Sequence, residues 1–405
     1  MCPQLPIGRR GFLKGAAAVA VTPILGLGRA RGAIPGIPGR FLVVINLIGG
    51  NDGLNTVVPT HLSAYAARRP RLHLQPGPDG LLPLAGGWHL HGNLLRMKSL
   101  WDAGDLHIVQ KVGYPGENLS HFTSQDIYSF GVRDVQGRGD GRGWLGRFAD
   151  AYCSDPSEPL GVVAVGVGRR RDFEAGRTQP LVVDGLEDFR ILPDPARAAD
   201  HALRVATVRS LPAGGASAQA HALVDRVQRE TAGWRDPDLY PASALGRNLR
   251  TISRLLHAQA SFGTRIFYTG LGGFDTHAAQ PSTHGRLLAE LDGAIGAFAR
   301  DMAAKGRWPE CAVVVISEFG RRNAENGSAG TDHGHGSAFL VLGGAVRGGG
   351  ITGSVLDGDI GDRLQLGYDY DFREIYADLV ANHLGLAAAP LFPEPFVRTG
   401  DIALA

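Results

Sequence analysis

The stretch Phe41-Leu42-Val43-Val44-Ile45-Asn46-Leu47 decides the fold, because a run with a single polar residue is typical of a strand covered on both faces. Gly49-Gly50-Asn51-Asp52 follows almost at once, and its glycines let the chain leave the strand sharply. Further apolar runs predict strands at Leu106–Val112, Leu160–Val165, Arg265–Tyr268, Cys311–Ser317 and Ala338–Leu342.

Segments with helical periodicity separate these strands. Ala242–Ala258, for example, places Leu245, Leu249 and Ile252 on one side. The other predicted helices are His91–Ala103, Ser120–Phe130, Gly143–Tyr152, Ala196–Val208, His221–Gly233, Ser282–Ala304 and Asp371–Leu384. Alternating strands and helices predict an α/β fold with a doubly wound, mostly parallel sheet sandwiched by helices. We expect one domain over residues 33–405, with a helical insertion around 166–241.

Composition describes a globular protein rather than a nucleic-acid binder. The chain has 405 residues, of which 44% are hydrophobic and 20% charged, so a large core can be buried. The formal net charge is only +2, and the arginines are interspersed with acids. We therefore expect no nucleic-acid partner.

Residues 1–32 have the pattern of an export signal. Arg9-Arg10 precede Phe12-Leu13-Lys14, an apolar stretch Gly15–Leu27 and small residues near Ala30. The paired arginines resemble the twin-arginine motif, although Gly8 replaces the usual Ser or Thr. We expect a periplasmic or secreted protein that uses the twin-arginine translocase and has no membrane span when mature. An uncleaved membrane anchor is the alternative.

Two cysteines remain after the leader, Cys153 and Cys311. They permit one disulfide in an oxidising compartment but do not form a disulfide scaffold. Two buried thiols are the favoured interpretation.

Acids and imidazoles follow the predicted strands. Asp52 follows the first strand, Asp275 and His277 follow Arg265–Tyr268, Glu318 follows Cys311–Ser317, and Asp332, His333 and His335 lie in the glycine-rich loop beyond it. The carboxyl ends of parallel strands are where ligands bind in such sheets. Carboxylate oxygen and imidazole nitrogen are suitable ligands for divalent metal ions. We expect zinc first, with manganese, calcium and magnesium as alternatives.

Each of these residues also has a simpler interpretation. Asp52 is also consistent with an Asp-Gly turn, and Asp275 with a helix cap beside a surface His277. Glu318 could pair with a neighbouring arginine. Asp332 and His335 could orient other ligands rather than bind an ion themselves.

Ser120 opens a predicted helix after the second strand. Free N–H groups at a helix start favour an anion, so a hydroxyl there could serve as the nucleophile of phosphoryl or sulfuryl transfer. The alternative is that Ser120 or Thr123 is an ordinary N-cap.

These segments, in this order, resemble a bacterial family known as domain of unknown function 1501, usually exported with a twin-arginine leader. The segments are Gly49–Thr56, Ser120–Tyr128, Phe274–Gln280, Ser317–Arg322, Asn326–Gly334 and Asp371-Phe372-Arg373. The family resembles the alkaline phosphatase-like superfamily of phosphatases and sulfatases. The resemblance implies two metal ions with Asp52, Asp275, His277 and His333 as ligands, and Ser120 as the nucleophile.

The chain departs from that superfamily beside Glu318, where Phe319 replaces a histidine that follows an aspartate. The expected function is an exported metal-dependent hydrolase of phosphate or sulfate esters, with Asp332 as a further candidate ligand and Arg321 steadying the substrate's charge. The alternative is a non-catalytic exported binding or assembly protein that keeps the fold. A metal-free serine hydrolase is disfavoured because no G-x-S-x-G motif surrounds Ser120.

Overall fold

The computed structural model describes residues 35–134, 140–153, 159–168, 170–178, 180–183, 216–399 and 404. The predicted leader, the predicted helix Ala196–Val208 and residues 184–215 of the predicted insertion lie outside these residues. The single-domain organisation over 33–405 therefore stays a prediction.

A nine-stranded sheet forms the centre of the described structure. Its strands are β1 Phe41–Ile48, β2 Leu106–Gly113, β3 Val162–Val165, β4 Leu181–Val183, β5 Ile266–Gly272, β6 Cys311–Ile316, β7 Ser337–Leu342, β8 Ile351–Thr352 and β9 Tyr370–Asp371. The order is β8-β2-β7-β6-β1-β5-β3-β4, and β9 also pairs with β2. Within this sheet only β7 runs antiparallel to its neighbours. The predicted mostly parallel α/β sheet is confirmed.

The helices of the described residues cover both faces of this sheet. They are α1 Gly53–Thr56, α2 Ser63–Arg68, α3 Leu95–Asp102, α4 His121–Phe130, α5 Trp144–Tyr152, α6 Ala216–Glu230, α7 Ala244–His257, α8 Gln259–Phe262, α9 Gln280–Ala304, α10 Asp357–Gly361 and α11 Phe372–Asp378. The helix α11 continues as a π-helical turn over Leu379–His383. No helix in the described part of the chain combines the length and apolar character needed to cross a membrane.

The central strand β1 explains why the core has two halves. Its side chains alternate between the faces of the sheet, as the pleat requires. Phe41, Val43 and Ile45 join the apolar cluster that includes Leu249 of α7 and Leu291 of α9. On the other face, Leu42 and Val44 join the cluster that includes Trp144 and Phe148 of α5 and Ile375 of α11. The apolar run therefore packs on both sides.

Two described cysteines are free and buried. Burial raises the pKa of the Cys153 thiol to about 12, and burial also raises the pKa of Cys311. The expectation of two buried thiols is confirmed.

Because β7 runs antiparallel to its neighbours, its N-terminal end lies at the edge of the sheet where the parallel strands have their C-terminal ends. Just before β7, His333–Gly334 pairs antiparallel with Gly320–Arg321, which follows β6. This ribbon was not predicted, and Arg321 lies directly opposite His333 in it. The loop that precedes β7 therefore meets the loops that follow β1, β5 and β6.

Gly49 allows the loop after β1 to approach the loop after β5. Its φ of +120° lies in the region that favours glycine, and a Cβ there would lie 2.4 Å from the backbone nitrogen of Asp275. The backbone N–H of Gly49 also donates to Glu318 Oε1 at 2.9 Å. A side chain at this position would force the two loops apart.

Replacing Gly49 by alanine is expected to lower the free energy of unfolding. Backbone strain alone costs about 1–3 kcal/mol, and the contact with Asp275 adds to it. Gly272→Ala is the matched control, because Gly272 ends β5 without a positive φ and a Cβ added there would have no atom within 4 Å. Urea denaturation of both variants tests this; equal midpoints would show that the close approach is not needed.

Candidate functional site

Side chains from three loops converge at the carboxyl edge of the sheet. His121 begins α4 after β2, Asp275 and His277 follow β5, and His333 precedes β7. We call these four residues the His/Asp cluster.

Short distances join the polar atoms of the His/Asp cluster. His333 Nε2 lies 2.9 Å from His277 Nε2 and 3.1 Å from Asp275 Oδ1. His277 Nε2 lies 3.0 Å from the same Asp275 oxygen. His121 Nε2 lies 3.4 Å from Asp275 Oδ2. Three imidazoles therefore present their Nε2 atoms to one carboxylate.

The other ring nitrogen of each imidazole is bound to an acceptor behind it. His333 Nδ1 donates to the carbonyl of Leu119 at 2.8 Å. His277 Nδ1 is 3.1 Å from Asp332 Oδ1, and His121 Nδ1 is 2.9 Å from Glu318 Oε1. A hydrogen on each Nδ1 leaves the Nε2 lone pair for the cluster. Metal-binding histidines in proteins are oriented in this way.

Arg321 keeps the carboxylate of Asp275 ionised. Burial would raise the pKa of Asp275, but the Arg321 guanidinium at 2.7 Å outweighs it, and the pKa falls to about 2. Burial lowers the pKa of His333, which favours its neutral form. The bond to Glu318 raises the pKa of His121.

Glu318 lies behind His121 rather than in the cluster, although we expected it to be a ligand. Its buried carboxylate accepts from His121, from Gly49 and from Gln125 Nε2 at 3.1 Å. Burial acts to raise the pKa of Glu318, but these hydrogen bonds lower it on balance. The structure thus gives Glu318 the geometry of an orienting residue.

Asp332 has the same relation to His277. Its Oδ1 accepts from His277 and from Asn326 Nδ2 at 3.2 Å, and the Asn326 bond is the main reason its pKa is lowered. Of the two functions considered for Asp332, ligand or orienting residue, this contact corresponds to the second.

Asp52 is not gathered into the His/Asp cluster. It forms a fully buried ion pair with Arg69 at 2.6 Å and also accepts from Gln280 Nε2 at 2.5 Å. Burial would raise the pKa of Asp52, but Arg69 lowers it on balance. The expected ligand of the first strand is therefore occupied by an arginine that directly follows α2.

Arg321 is committed to the protein itself, which corrects the expectation that it steadies a substrate. The side chain is buried, and besides Asp275 it donates to the carbonyls of Gly50, Thr331 and Phe274 at 2.7, 2.9 and 3.0 Å. A guanidinium with its donors used in this way cannot reach a bound anion.

Ser120 lies exposed between two residues that touch the cluster. The preceding Leu119 carbonyl binds His333, and the following residue is His121. Ser120 is the N-cap of α4, but its side chain makes no capping hydrogen bond. Ser120 therefore occupies the N-cap position through its backbone, while its hydroxyl is not used for capping and could react with a substrate.

His335 faces away from the cluster. It is buried with its ring 5.2 Å from that of Tyr114, and its Nδ1 lies 3.7 Å from Glu117 Oε2. Residues two apart share a face only while a strand continues. The ribbon ends at Gly334 and the chain bends at His335 before β7 begins, so His335 does not follow His333 into the cluster.

His121 is the cluster member that the sequence did not single out. The only available signal was its position, directly after a candidate nucleophile at the start of a helix. The orientation of the His121 ring depends on Glu318, which is distant in sequence and could not be linked to it from the sequence alone.

Comparison with known proteins identifies the family of this chain. The family model described as "Protein of unknown function (DUF1501)" matches residues 107–369, more than half of the chain. The chain belongs to the DUF1501 family. The predicted family resemblance is confirmed. A search of curated proteins found no significant match.

Solved structures similar to this DUF1501 protein include members of the alkaline phosphatase superfamily and sulfatases. An alkaline phosphatase superfamily protein from Vibrio parahaemolyticus is 11% identical, with 92% of this chain and 74% of that chain covered and a TM-score of 0.39. PsFucS1 sulfatase from Pseudoalteromonas sp. is 10% identical, with 85% of this chain and 70% of that chain covered and a TM-score of 0.36. A third structure is a variant of TAB5 alkaline phosphatase, from an Antarctic bacterium, with Mg bound in its M3 site. It is 10% identical, with 81% of this chain and 96% of that chain covered and a TM-score of 0.34. Because these TM-scores are below 0.5, function is inferred from the site alone.

The ion pair between Asp52 and Arg69 predicts a large loss of stability in Arg69→Met. The change leaves a buried carboxylate without its cation, which costs about 3–5 kcal/mol. Arg71→Met is the control, because Arg71 is half exposed in its pair with Glu325 and such pairs contribute about 0–1 kcal/mol. Thermal unfolding of both variants checks this. Similar losses would mean that Asp52 does not depend on Arg69.

Proposed function

We propose that this DUF1501 protein is an exported, divalent-metal-dependent hydrolase of phosphate or sulfate esters, with Ser120 as the nucleophile. The observation that carries the proposal is the convergence of His277, His333 and Asp275, together with an exposed Ser120 whose two chain neighbours, Leu119 and His121, contact that cluster. Export through the twin-arginine translocase, to the periplasm or beyond, is proposed from the leader alone.

The residues of the cluster fit a metal ion. His333 Nδ1 must donate to a carbonyl, so the Nε2 of a neutral His333 has no hydrogen to offer. That atom nevertheless lies 3.1 Å from an ionised carboxylate that also only accepts. A cation would satisfy both acceptors. His277, His333 and Asp275 would hold it, and zinc suits this mixture of nitrogen and oxygen donors.

A bound ion would supply Lewis acidity and lower the pKa of a nearby hydroxyl. Ser120 Oγ would attack phosphorus or sulfur and form a serine ester, while the bond to the leaving alcohol breaks and that alcohol takes up the proton lost by Ser120. Water would then hydrolyse the serine ester, releasing phosphate or sulfate and giving one of its protons to Ser120. The N–H groups at the start of α4 would bind the anionic group.

Asp332 and Glu318 would act in this reaction through the imidazoles they hold. Each fixes a ring so that Nε2 faces the cluster, and neither need contact the substrate. Arg321 would fix Asp275 in the same way.

A non-catalytic binding or assembly protein is the second candidate, and specific contacts favour it. Asp52 is paired with Arg69 and Glu318 with His121, and these pairings compete with the second ion that the superfamily resemblance implies. Metal analysis of protein purified without chelator separates the two candidates. Less than about half an equivalent of zinc, manganese, calcium or magnesium would favour the binding protein.

Ser120→Ala is expected to abolish hydrolysis of 4-nitrophenyl phosphate or 4-nitrophenyl sulfate, because the variant lacks the attacking oxygen. Metal content should stay at the wild-type ratio, since the hydroxyl is not among the cluster atoms. Release of 4-nitrophenol and metal analysis give the two readouts.

Thr123→Ala is the matched control for this variant. It removes another hydroxyl from the first turn of α4 and should leave turnover unchanged. Hydrolysis that survives in Ser120→Ala would exclude Ser120 as the nucleophile.

His333→Ala is expected to lose both metal and the stabilisation that metal brings. An ion that binds only the folded state raises its stability by about 2.7 kcal/mol when present at 100 times its dissociation constant. The melting temperature of the wild type should therefore rise with added Zn²⁺, whereas that of the variant should not.

His335→Gln, which changes a histidine outside the cluster, should keep the rise. The same Zn²⁺-induced shift in His333→Ala as in the wild type would contradict ligation by His333.

A further inference from the structure

His121 carries a buried nitrogen that nothing in the described structure satisfies. Its Nδ1 is bound to Glu318, while its Nε2 is shielded from solvent and has no hydrogen-bond partner. An unsatisfied buried polar atom in a native structure indicates a missing ligand, ion or water.

The surroundings of that nitrogen indicate a cation. Asp275 Oδ2 lies 3.4 Å from it, which is beyond the usual range of an N–H···O hydrogen bond. One donor atom each from His121, Asp275 and His333 lies within 4.8 Å of the other two. His277 Nε2 contacts two members of this group, His333 and Asp275.

Phe319 explains why the chain uses a histidine from α4. Its fully buried ring lies 4.8 Å from the rings of both His121 and His333. At the position where the superfamily resemblance implies a histidine ligand, this chain has an apolar wall that supports two imidazoles. His121, at the start of α4, thus supplies an imidazole nitrogen where the residue after Glu318 has none.

We propose that His121, oriented by Glu318, is a ligand of a single nitrogen-rich metal centre completed by Asp275, His277 and His333. Three imidazoles and one carboxylate suit a first-row transition ion such as Zn²⁺, whereas Mg²⁺ prefers oxygen ligands and retains water. The proposal rests on the metal site of the proposed function but not on catalysis.

The test is titration of the chelator-treated full chain with Zn²⁺ and with Mg²⁺, followed by calorimetry. The wild type should bind one Zn²⁺ per chain and bind Mg²⁺ far more weakly. Glu318→Gln keeps an acceptor for His121 Nδ1 but removes the charge, and should weaken Zn²⁺ binding about 10–100-fold. His121→Ala removes the ligand and should weaken it more.

Phe122→Ala is the matched control, because Phe122 is the next residue of α4 and its side chain is 86% exposed. It should bind Zn²⁺ as the wild type does. The visible spectrum of the Co²⁺-loaded protein, which reports coordination, should change in His121→Ala and not in Phe122→Ala.

Unchanged affinity and spectrum in His121→Ala would overturn the proposal, as would two Zn²⁺ per chain or equal affinity for Mg²⁺. These results are distinct from failure of the proposed function. A protein that binds Zn²⁺ through His121 but hydrolyses no ester would refute the hydrolase alone, whereas metal-dependent hydrolysis with unchanged Zn²⁺ binding in His121→Ala would refute only this ligand.

Discussion

The buried guanidinium of Arg321 joins the loops on which the site depends. It donates to the carbonyls of Gly50, Phe274 and Thr331, which belong to the loops after β1, after β5 and before β7. Its bond to Asp275 then sets the carboxylate against the imidazoles. Because an unsatisfied buried cation is costly, the three loops are fixed together by the same side chain. Two of these loops carry Asp275, His277 and His333, so this side chain helps to set the distances within the His/Asp cluster.

The acceptors behind the imidazoles differ in burial, and this difference shapes the site. Glu318 and its three donors are enclosed beside β1, so His121 is held from the protein interior. His277, by contrast, is 44% exposed and Asp332 is 42% exposed. The cluster is therefore held from the protein interior on the side of His121 and is exposed to solvent on the side of His277.

The sequence alone predicts the sheet and part of the cluster, and the remainder depends on tertiary contacts. Unbroken apolar runs define β1 and β6 because strands covered on both faces need no polar side chains. Asp275, His277 and His333 were predicted from strand ends, and the structure brings them together. The partner of Asp52 could not be predicted, since Arg69 reaches it only through the packing of α2. The antiparallel direction of β7 could not be predicted either, because the side-chain pattern of an apolar strand does not depend on the direction in which it runs.

Phe319, which stands where the superfamily resemblance implies a histidine, contacts two imidazoles of the proposed metal centre instead of binding the ion itself. Its ring keeps water from one side of His121 and His333, and a drier surrounding strengthens the attraction between an ion and its ligands. Four protein donors are, however, the number that closed structural zinc sites use, whereas catalytic sites keep a position open. Asp275 is contacted by all three imidazoles and held by Arg321. In the proposed centre, loosening of the Arg321 contact would be the step that lets this carboxylate shift and admit a substrate oxygen.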